Sequence, residues 1–254
     1  MPRFKVGVQL HPQHCTVDDL REAWQAADAM GVDSIWTWDH FFPLYGKPDG
    51  EHYEGWSLLA AMAVTTESAR FGMLVTCNSY RNPELLADMA RTVDQLSHGR
   101  LILGLGAGWF ERDYDEYGYE FGTAPDRLRA LKGALPRIEQ RLARLNPGPA
   151  GDLPILIGGG GEQVTLRLVA QHAQMWNGFG PPERFAHKSA VIDQWCAKVG
   201  RDPAEIERTA AANDPKDVED VQAWLDAGAQ HIILGLGAPF DLAPVQRLLD
   251  AARG

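Results

Sequence analysis

A strand–helix–strand unit in the first half of the chain constrains its fold most strongly. Residues 71–76 and 101–105 are short apolar runs, which are typical of parallel strands buried on both faces. The segment between them carries the signals of a helix, because Asn82 can cap its start and Gly99 can end it. Two parallel strands joined by a helix need a right-handed crossover, so this unit predicts a parallel α/β sheet.

The same alternation of strand and helix signals continues along the chain. Strands are predicted at residues 4–10, 34–38, 71–76, 101–105, 154–157, 175–179, 206–212 and 231–236. Helices are predicted at residues 16–31, 56–66, 82–99, 127–145, 162–172, 183–199, 217–227 and 242–252. The eight units average about 32 residues (254 divided by 8), which favours an α/β fold of the closed (β/α)8 TIM barrel type, as a single domain over residues 1–254. An open doubly wound sheet is the alternative.

Two strand sequences also favour closure. LILGLGAG, which begins at Leu101, resembles IILGLGAP, which begins at Ile232, and the two lie about half a chain apart. Duplication of a half-barrel would leave such a pair. Buried strands that end in glycine also resemble one another without duplication, so both explanations stand.

Charge and cysteine content limit the partners and the compartment. The formal net charge is -10, which on average repels a nucleic-acid backbone or an anionic membrane, so neither is expected as a partner. Cys15, Cys77 and Cys196 are odd in number and form no C-x-x-C pair, as expected in a reducing compartment. The amino terminus enters a strand instead of forming a signal peptide, and no apolar run approaches the length of a membrane span. We therefore expect a cytoplasmic protein.

Ligands of a parallel barrel bind at the carboxyl ends of its strands. The residues expected there are Gln9, His11, Asp39, His40, Thr76, Asn78, Gly106, Ala107, Gly108, Trp109, Gly158, Gly159, Gly160, Gly161 and Asn177. This set offers no lysine for a Schiff base, and the chain has no G-x-S-x-G nucleophile elbow. We therefore expect a bound cofactor to carry the chemistry, with His11 and Trp109 as candidate substrate contacts.

The four glycines from Gly158 to Gly161 give the clearest binding signal. They precede a predicted helix that begins at Glu162, and backbone N–H groups at a helix start suit a phosphate. A flexible turn without a ligand is the alternative. The sequence G-L-G-A-G at Gly104 is a weaker signal, because it lies on the fourth strand and lacks the acidic residue that a Rossmann fingerprint has after the next strand. Gly104 itself is expected to serve packing.

Two histidine-containing sequences suggest different chemistry. His11, His14 and Cys15 suggest a metal site, but their H-x-x-H spacing differs from the H-x-H of metal-dependent barrel hydrolases, and no second cluster follows. We therefore expect no bound metal. Asp39 and His40 end the second strand, where a carboxylate and an imidazole can orient a ring and move a proton. A structural hydrogen-bonded pair at the barrel rim is the alternative.

Three sequences carry a resemblance to a known family. They are WTWDHFFP, LVTCNSYRNPELLADMARTVDQLSHGRLILGLGAGWFERDY and PILIGGGGEQVTLRLVA. Together they resemble the luciferase-like monooxygenase superfamily, and most closely its branch of oxidoreductases that use the deazaflavin coenzyme F420. The similarity covers nearly the whole chain. It departs from the family in its short or missing insertion segments, and in residues 173–177, which read AQMWN where Ala-Asp-Gly-Trp-Asn is usual.

The resemblance implies roles for the strand-end residues. Asp39 would hydrogen-bond the edge of the deazaflavin ring, and His40 would be the acid or base near the hydride-transfer carbon. A bulge with a non-proline cis peptide, placed at Leu74–Val75, would press on the rear face of the ring. The remaining cofactor contacts would be Thr76 in the bulge, Gly106, Ala107 and Gly108 beside the ring, Gly158, Gly159, Gly160, Gly161 and Glu162 at the phosphate, and Asn177.

The resemblance also implies the activity, which is hydride exchange between coenzyme F420 and a small organic substrate, in a homodimer. The alternatives are an FMN-dependent monooxygenase, a cofactor-binding protein without turnover, and a metal-dependent hydrolase. The aromatic-rich segments at 41–55 and 109–123 are expected to choose the substrate, and their composition suggests an apolar, planar molecule.

Overall fold

The strands of the protein follow the predicted order. A computed structural model describes residues 2–254. Its strands within that range are β1 (Lys5–Leu10), β2 (Ser34–Thr37), β3 (Arg70–Met73), β4 (Thr76–Cys77), β5 (Leu101–Gly106), β6 (Ile155–Gly158), β7 (Met175–Phe179), β8 (Glu207–Ala212) and β9 (His231–Leu236). These are the eight predicted strands, with the third divided into β3 and β4.

The strands are parallel and close into a ring. β1 lies between β2 and β9, and the order continues through β8, β7 and β6 to β5. β5 then pairs with β3 through Leu101 and Phe71, and with β4 through Leu105 and Thr76. The predicted (β/α)8 barrel is therefore confirmed, and the open doubly wound sheet is wrong.

Helices cover the outside of the barrel. In the described chain they are α1 (Val17–Met30), α2 (Gly55–Thr65), α3 (Pro83–Leu96), α4 (Glu111–Tyr117), α5 (Ala124–Leu142), α6 (Thr165–His172), α7 (Pro182–Val199), α8 (Val221–Asp226) and α9 (Ala243–Arg253). Thr16 and Asp19 form a capping box that begins α1, and the Asn82 side chain accepts two backbone N–H groups at the start of α3.

Two connections differ from the sequence prediction. The helix predicted at 217–227 is two pieces, a 3-10 turn at Pro215–Val218 and α8. It divides because Asp214 and Asp220 each cap their own short turn. The segment after Trp109, for which no helix was predicted, contains α4, which is capped by Gly118 with a left-handed φ of 69°.

Two apolar cores determine where a ligand can bind. The larger core lies between the barrel and its helices. A smaller one fills the barrel interior, and its buried members are Trp36, Ile102, Leu156, Met175 and Ile233. Leu74 and Val75 pack against this inner core. The barrel is thus a filled cylinder, and a ligand can reach it at the level of Leu74 and Val75.

The chain leaves the sheet between β3 and β4 to place these two residues. The Leu74–Val75 peptide is cis, at the predicted position. The Leu74 N–H donates to the Thr37 carbonyl at 2.8 Å, and Gln9 Nε2 donates to the Leu74 carbonyl at 2.9 Å. A Cβ on Gly104 would lie 1.9 Å from the Met73 carbonyl oxygen, which gives Gly104 the expected packing role.

Three general properties complete the description of the folded chain. Cys15, Cys77 and Cys196 are buried free thiols. No helix within residues 2–254 combines the length and apolar character needed to cross a bilayer. Over the same residues, no group of three or more His, Cys, Asp or Glu side chains is arranged to hold a metal ion.

Candidate active site

A cavity of about 560 Å³ lies at the carboxyl ends of the strands. Its volume is within the range of small-molecule sites. The lining residues are Gln9, Trp38, His40, Leu44, Leu74, Val75, Gly106, Ala107, Gly108, Trp109, Gly158, Gly159, Thr165, Asn177, Phe179, Ala211 and Asn213. Among these described residues no Asp, Glu, Lys or Arg occurs, so the cavity suits a neutral ligand surface.

The cavity collects most of the predicted site residues but not all of them. Those that line it are His40, Leu74, Val75, Gly106, Ala107, Gly108, Trp109, Gly158, Gly159 and Asn177. Those outside its lining are His11, Asp39, Thr76, Gly160, Gly161 and Glu162. Thr76 is fully buried in β4, where it pairs with β5, and therefore supports the rim from behind.

A buried carboxylate holds the His40 imidazole. Nδ1 lies 2.7 Å from Asp113 Oδ2, and the Asp113 side chain has no exposed surface. Asp113 also accepts hydrogen bonds from the Tyr80 hydroxyl at 2.8 Å and from the Phe41 N–H at 3.0 Å. Because Asp113 acts as the acceptor for all three groups, the proton of the pair belongs on His40 Nδ1. The opposite ring nitrogen, Nε2, is therefore the atom that can exchange a proton with a ligand.

Aromatic rings surround the His40 imidazole. Trp38, Trp109 and Phe110 approach it edge-on, with ring centroids 6.0, 5.7 and 5.5 Å away. These contacts limit rotation of the imidazole. Trp109 is 63% exposed, so much of its ring surface is free to contact a ligand, and its role as a substrate contact stays a prediction.

The Asp39 carboxylate, predicted to bind a ring edge, is engaged elsewhere. Arg81 donates to Oδ2 at 2.6 Å and to Oδ1 at 3.0 Å, and the Cys77 N–H donates to Oδ2 at 2.9 Å. Burial raises the pKa of Asp39, and the Arg81 guanidinium opposes that shift. Asp39 therefore anchors the segment after β4, and the prediction of a direct ring contact through its side chain does not agree with this geometry.

Two glycines make room for the valine on the cavity floor. A Cβ on Gly106 would lie 2.5 Å from Val75 Cγ2, and a Cβ on Gly158 would lie 2.9 Å from Val75 Cγ1. Both distances are too short for real side chains, so both positions need glycine. The family resemblance implied that Gly106 lies beside the ring and Gly158 at the phosphate. Instead, much of the space above these glycines is filled by Val75.

The glycine turn after β6 lies at one end of the cavity. Gly158 and Gly159 line the cavity. Gly159 has a φ of 124°, a backbone angle that residues with a side chain rarely adopt. Gly160 and Gly161 continue the turn outside the lining. α6 begins at Thr165 and not at Glu162, because residues 162–164 form a turn.

Glu162 forms an ion pair beside this turn. Its carboxylate accepts hydrogen bonds from Lys188 Nζ at 2.5 Å and from His187 Nε2 at 3.0 Å. The bond from Lys188 lowers the pKa of Glu162. A carboxylate offers only acceptors, so only the backbone N–H of Glu162 could make the predicted phosphate contact. The sequence missed Lys188, whose side chain lies 3.7 Å from the position of a Cβ on Gly160 and which supplies a cation beside the turn.

His11 lies one layer behind the cavity. Its ring stacks on Trp38 with centroids 4.3 Å apart, and Nδ1 hydrogen-bonds to the Tyr45 hydroxyl. Burial lowers the pKa of His11 to about 4, so the ring is neutral near pH 7. His11 therefore supports Trp38, which lines the cavity. The predicted direct substrate contact of His11 does not agree with this position behind the lining.

Comparison with known proteins assigns the chain to a family. A family model described as luciferase-like monooxygenase matches residues 3–253. The chain belongs to the luciferase-like monooxygenase family.

Two curated relatives of this chain are named as a dehydrogenase and a ketoreductase. The F420-dependent glucose-6-phosphate dehydrogenase of Amycolatopsis mediterranei is 30% identical over 152 residues, 59% of this chain and 45% of that protein. The phthiodiolone/phenolphthiodiolone dimycocerosates ketoreductase of Mycobacterium tuberculosis is 27% identical over 277 aligned positions, 87% of this chain and 71% of that protein. The chain thus spans less than half the length of the first relative.

Two solved structures share the luciferase-like fold over almost their full length. One is an F420-dependent secondary alcohol dehydrogenase in complex with an F420-acetone adduct, with a TM-score of 0.87 and 16% identity over 99% of this chain and 100% of that one. The other is the oxygenating constituent of 3,6-diketocamphane monooxygenase from Pseudomonas putida in complex with FMN. Its TM-score is 0.76, with 15% identity over 99% of this chain and 97% of that one.

Some residues that line or support this site were not predicted from the sequence. Asp113 was missed because it lies 73 positions from His40, in a segment for which no helix was predicted. Ala211 and Asn213 were missed although they lie at the end of β8, because the sequence ERTAAAN has little β-branched character and is a weak strand signal. Their position at a strand end is the signal that could have found them.

Proposed function

We propose that this protein is an oxidoreductase that transfers a hydride between coenzyme F420 and a small organic substrate. The observation that carries the proposal is the His40–Asp113 pair, which presents a proton-exchanging nitrogen to the cavity at the carboxyl rim of the barrel. The names of the F420-dependent relatives support the choice of cofactor.

The residues at the cavity fit a flat heterocycle with an anionic extension. Leu74 and Val75 offer an apolar floor beneath a ring, and the amides of Gln9 and Asn177 offer polar groups at its edge. Asn177 is held in place by a hydrogen bond from Nδ2 to the Thr209 hydroxyl at 2.9 Å. The backbone of the glycine turn at 158–161 and the Lys188 ammonium would hold the phosphate.

His40 supplies the proton chemistry of the reaction. When bound, the reduced deazaflavin supplies a hydride, which is a proton with two electrons, to an electron-poor carbon of the substrate. His40 Nε2 then gives a proton to the substrate oxygen, or takes one from it in the reverse direction. Asp113 stabilises the imidazolium in both directions and keeps Nδ1 protonated. Trp38, Trp109 and Phe110 hold the imidazole at the cavity wall.

The lining supports an uncharged substrate. A phosphate or carboxylate in this cavity would lose its water shell and find no Lys or Arg among the lining residues. Trp109, Phe179 and Leu44 instead offer apolar contact area. A neutral, apolar ketone or aldehyde, or the matching alcohol, therefore suits the site better than a sugar phosphate.

An activity assay tests the proposed function. The reduced cofactor is mixed with the protein and with one of two substrate panels, neutral ketones and aldehydes or phosphorylated sugars, and its oxidation is followed by absorbance. We expect turnover with the neutral panel and its loss in His40→Ala with cofactor binding intact. A protein that binds the cofactor yet shows no His40-dependent oxidation with any compound would be a binding protein without turnover.

FMN is the alternative cofactor. The FMN complex of diketocamphane monooxygenase has the same fold. A flavin shares the ring shape that this cavity suits and the phosphate that the glycine turn and Lys188 would hold. Side-by-side titration with both cofactors separates the two proposals.

We also propose that the enzyme is a homodimer, as the resemblance implies. Val64 on α2 and Leu96 at the end of α3 are 61% and 44% exposed and border one surface depression. Val64→Glu should convert a dimer into a monomer in light-scattering measurements. A monomeric unsubstituted protein would contradict the proposal.

We propose a cytoplasmic location as well. The three buried free thiols are suited to a reducing compartment.

A further inference from the structure

A second concave surface lies on the outside of the barrel, between α5 and α6. It encloses about 300 Å³. We call it the α5–α6 groove, and its lining residues are Pro125, Leu128, Arg129, Lys132, Gln163, Val164, Arg167, Leu168 and Gln171. Leu168 is buried, and Leu128 and Val164 are half-buried, whereas the three basic side chains are exposed. The groove therefore has an apolar base and cationic edges.

The charge of this groove is opposite to that of the whole chain. Lys132 and Arg129 come from α5, and Arg167 comes from α6, so cations stand on both walls. Arg129 is paired with Asp126, while the Arg167 guanidinium lies 5.5 Å from the Trp195 ring centroid. No Asp or Glu belongs to the described lining. In a chain with a net charge of -10, such a local excess of cations favours an anionic ligand.

Both walls of the groove are joined to the rim of the active-site cavity. On the α6 side, Val164 lines the groove, and the next residue, Thr165, lines the cavity. On the α5 side, Arg127 Nε donates to the Gly108 carbonyl at 3.1 Å, and Gly108 lines the cavity. On both walls, residues that line the groove are therefore next in sequence to residues that line the cavity or bond to its rim.

We propose that the α5–α6 groove binds the carboxylate-rich tail that extends beyond the phosphate of coenzyme F420. The inference rests on the proposed function, since it assumes that cofactor. The carboxylates of γ-linked glutamate residues match Lys132, Arg129 and Arg167, and their methylene groups match the apolar base. FMN ends at its phosphate and does not reach the groove.

Cofactor binding tests the groove directly. Quenching of tryptophan fluorescence gives the Kd of F420 with one glutamate, of F420 with a long glutamate tail, and of FMN. We expect the long-tailed form to bind more tightly at low salt, by about tenfold, and the difference to shrink as salt shortens the Debye length.

Charge-reversal variants locate the effect. Lys132→Glu and Arg167→Glu should each weaken binding of the long-tailed form by about tenfold and leave the short-tailed form nearly unchanged. Arg144→Glu is the matched control. It makes the same change of charge at an exposed position just beyond the other end of α5, roughly 18 Å from Lys132.

The outcomes separate the groove from the proposed function. If the Kd of F420 does not depend on tail length, the groove proposal is contradicted and the proposed function is unaffected. The same holds if the tail-length effect on Kd is unchanged in both groove variants. An equal loss of affinity for the long-tailed form in Arg144→Glu also contradicts the groove proposal, because net charge alone would then explain the effect. Binding of FMN with no binding of either F420 form overturns the proposed function itself.

Discussion

His40 Nδ1 lies 2.7 Å from the Oδ2 atom of Asp113, a fully buried carboxylate on α4. This pair joins the segment after β2 to α4, the helix that follows β5. It sets the proton on Nδ1, directs Nε2 to the ligand, and stabilises the imidazolium that forms during proton transfer.

Replacement of Asp113 by Asn should therefore impair turnover more than binding. The neutral amide no longer stabilises the imidazolium, so we expect kcat to fall by about 100-fold while the Kd of the cofactor stays close to its original value. Asp115→Asn is the control, because Asp115 is exposed on the same helix. Equal kcat values for Asp113→Asn and the unsubstituted enzyme would show that the pair is structural.

Gly106→Ala should disturb the cavity floor. The new Cβ would approach Val75 Cγ2 to 2.5 Å, so Val75 must shift. We expect a loss of about 1–3 kcal/mol in the free energy of unfolding and weaker cofactor binding. The double variant Val75→Ala, Gly106→Ala should recover part of both. Urea titration and fluorescence binding measure the two quantities.

Gly133→Ala is the matched control for that substitution. Gly133 lies on α5, and a Cβ there would have no heavy atom within 4 Å. The change should raise the free energy of unfolding by up to about 1 kcal/mol through helix propensity. If Gly106→Ala proves equally harmless, contact with Val75 is not the reason for glycine at position 106.

The barrel could be predicted because its signals are local. Most buried strands are apolar runs of four to six residues bounded by caps and glycines, so the order of elements could be inferred without tertiary information. The segment at 217–227 was predicted as one helix because the capping by Asp220 competes with helix propensity inside the same periodic stretch.

Arg81→Met should destabilise the fold strongly. Arg81 neutralises the buried Asp39, whose pKa burial raises, so its removal leaves an uncompensated buried charge. We expect a loss of about 3–5 kcal/mol in the free energy of unfolding. Arg137→Met breaks the exposed pair with Glu84 and should cost less than about 1 kcal/mol. Similar losses in the two variants, measured by urea unfolding, would contradict the role assigned to Arg81.

Acid should destabilise the protein through buried histidines. Burial lowers the pKa of His11 from 6.5 to about 4, and His52 shifts to about 4 for the same main reason. Between those pH values the unfolded chain binds more protons than the folded one, so the free energy of unfolding falls as pH falls from 6.5 towards 4. The loss from one such group is at most about 3 kcal/mol.

His11→Phe tests this pH dependence. The phenyl ring can keep the stack on Trp38 but takes up no proton. The slope of unfolding free energy against pH should therefore decrease, and protonation of His52 should account for the slope that remains. Unfolding measured at several pH values between 4 and 7 gives both slopes. Identical slopes would show that His11 is not the titrating group.

The candidate site was harder to predict than the barrel because its decisive contacts are distant in sequence. His40 could be named from its strand end, but its partner Asp113 lies 73 positions away. Asp39 was predicted to bind a ligand because the sequence around it does not indicate that Arg81, 42 positions away, donates to both of its carboxylate oxygens. The cis peptide at Leu74–Val75 could be placed through the family resemblance, and not from composition or periodicity.

The most direct test of the central claim is a titration of the purified protein with coenzyme F420 and, separately, with FMN, followed by tryptophan fluorescence. The account predicts saturable binding of F420 in the micromolar range and much weaker binding of FMN. Micromolar binding of FMN with none of F420 would contradict it.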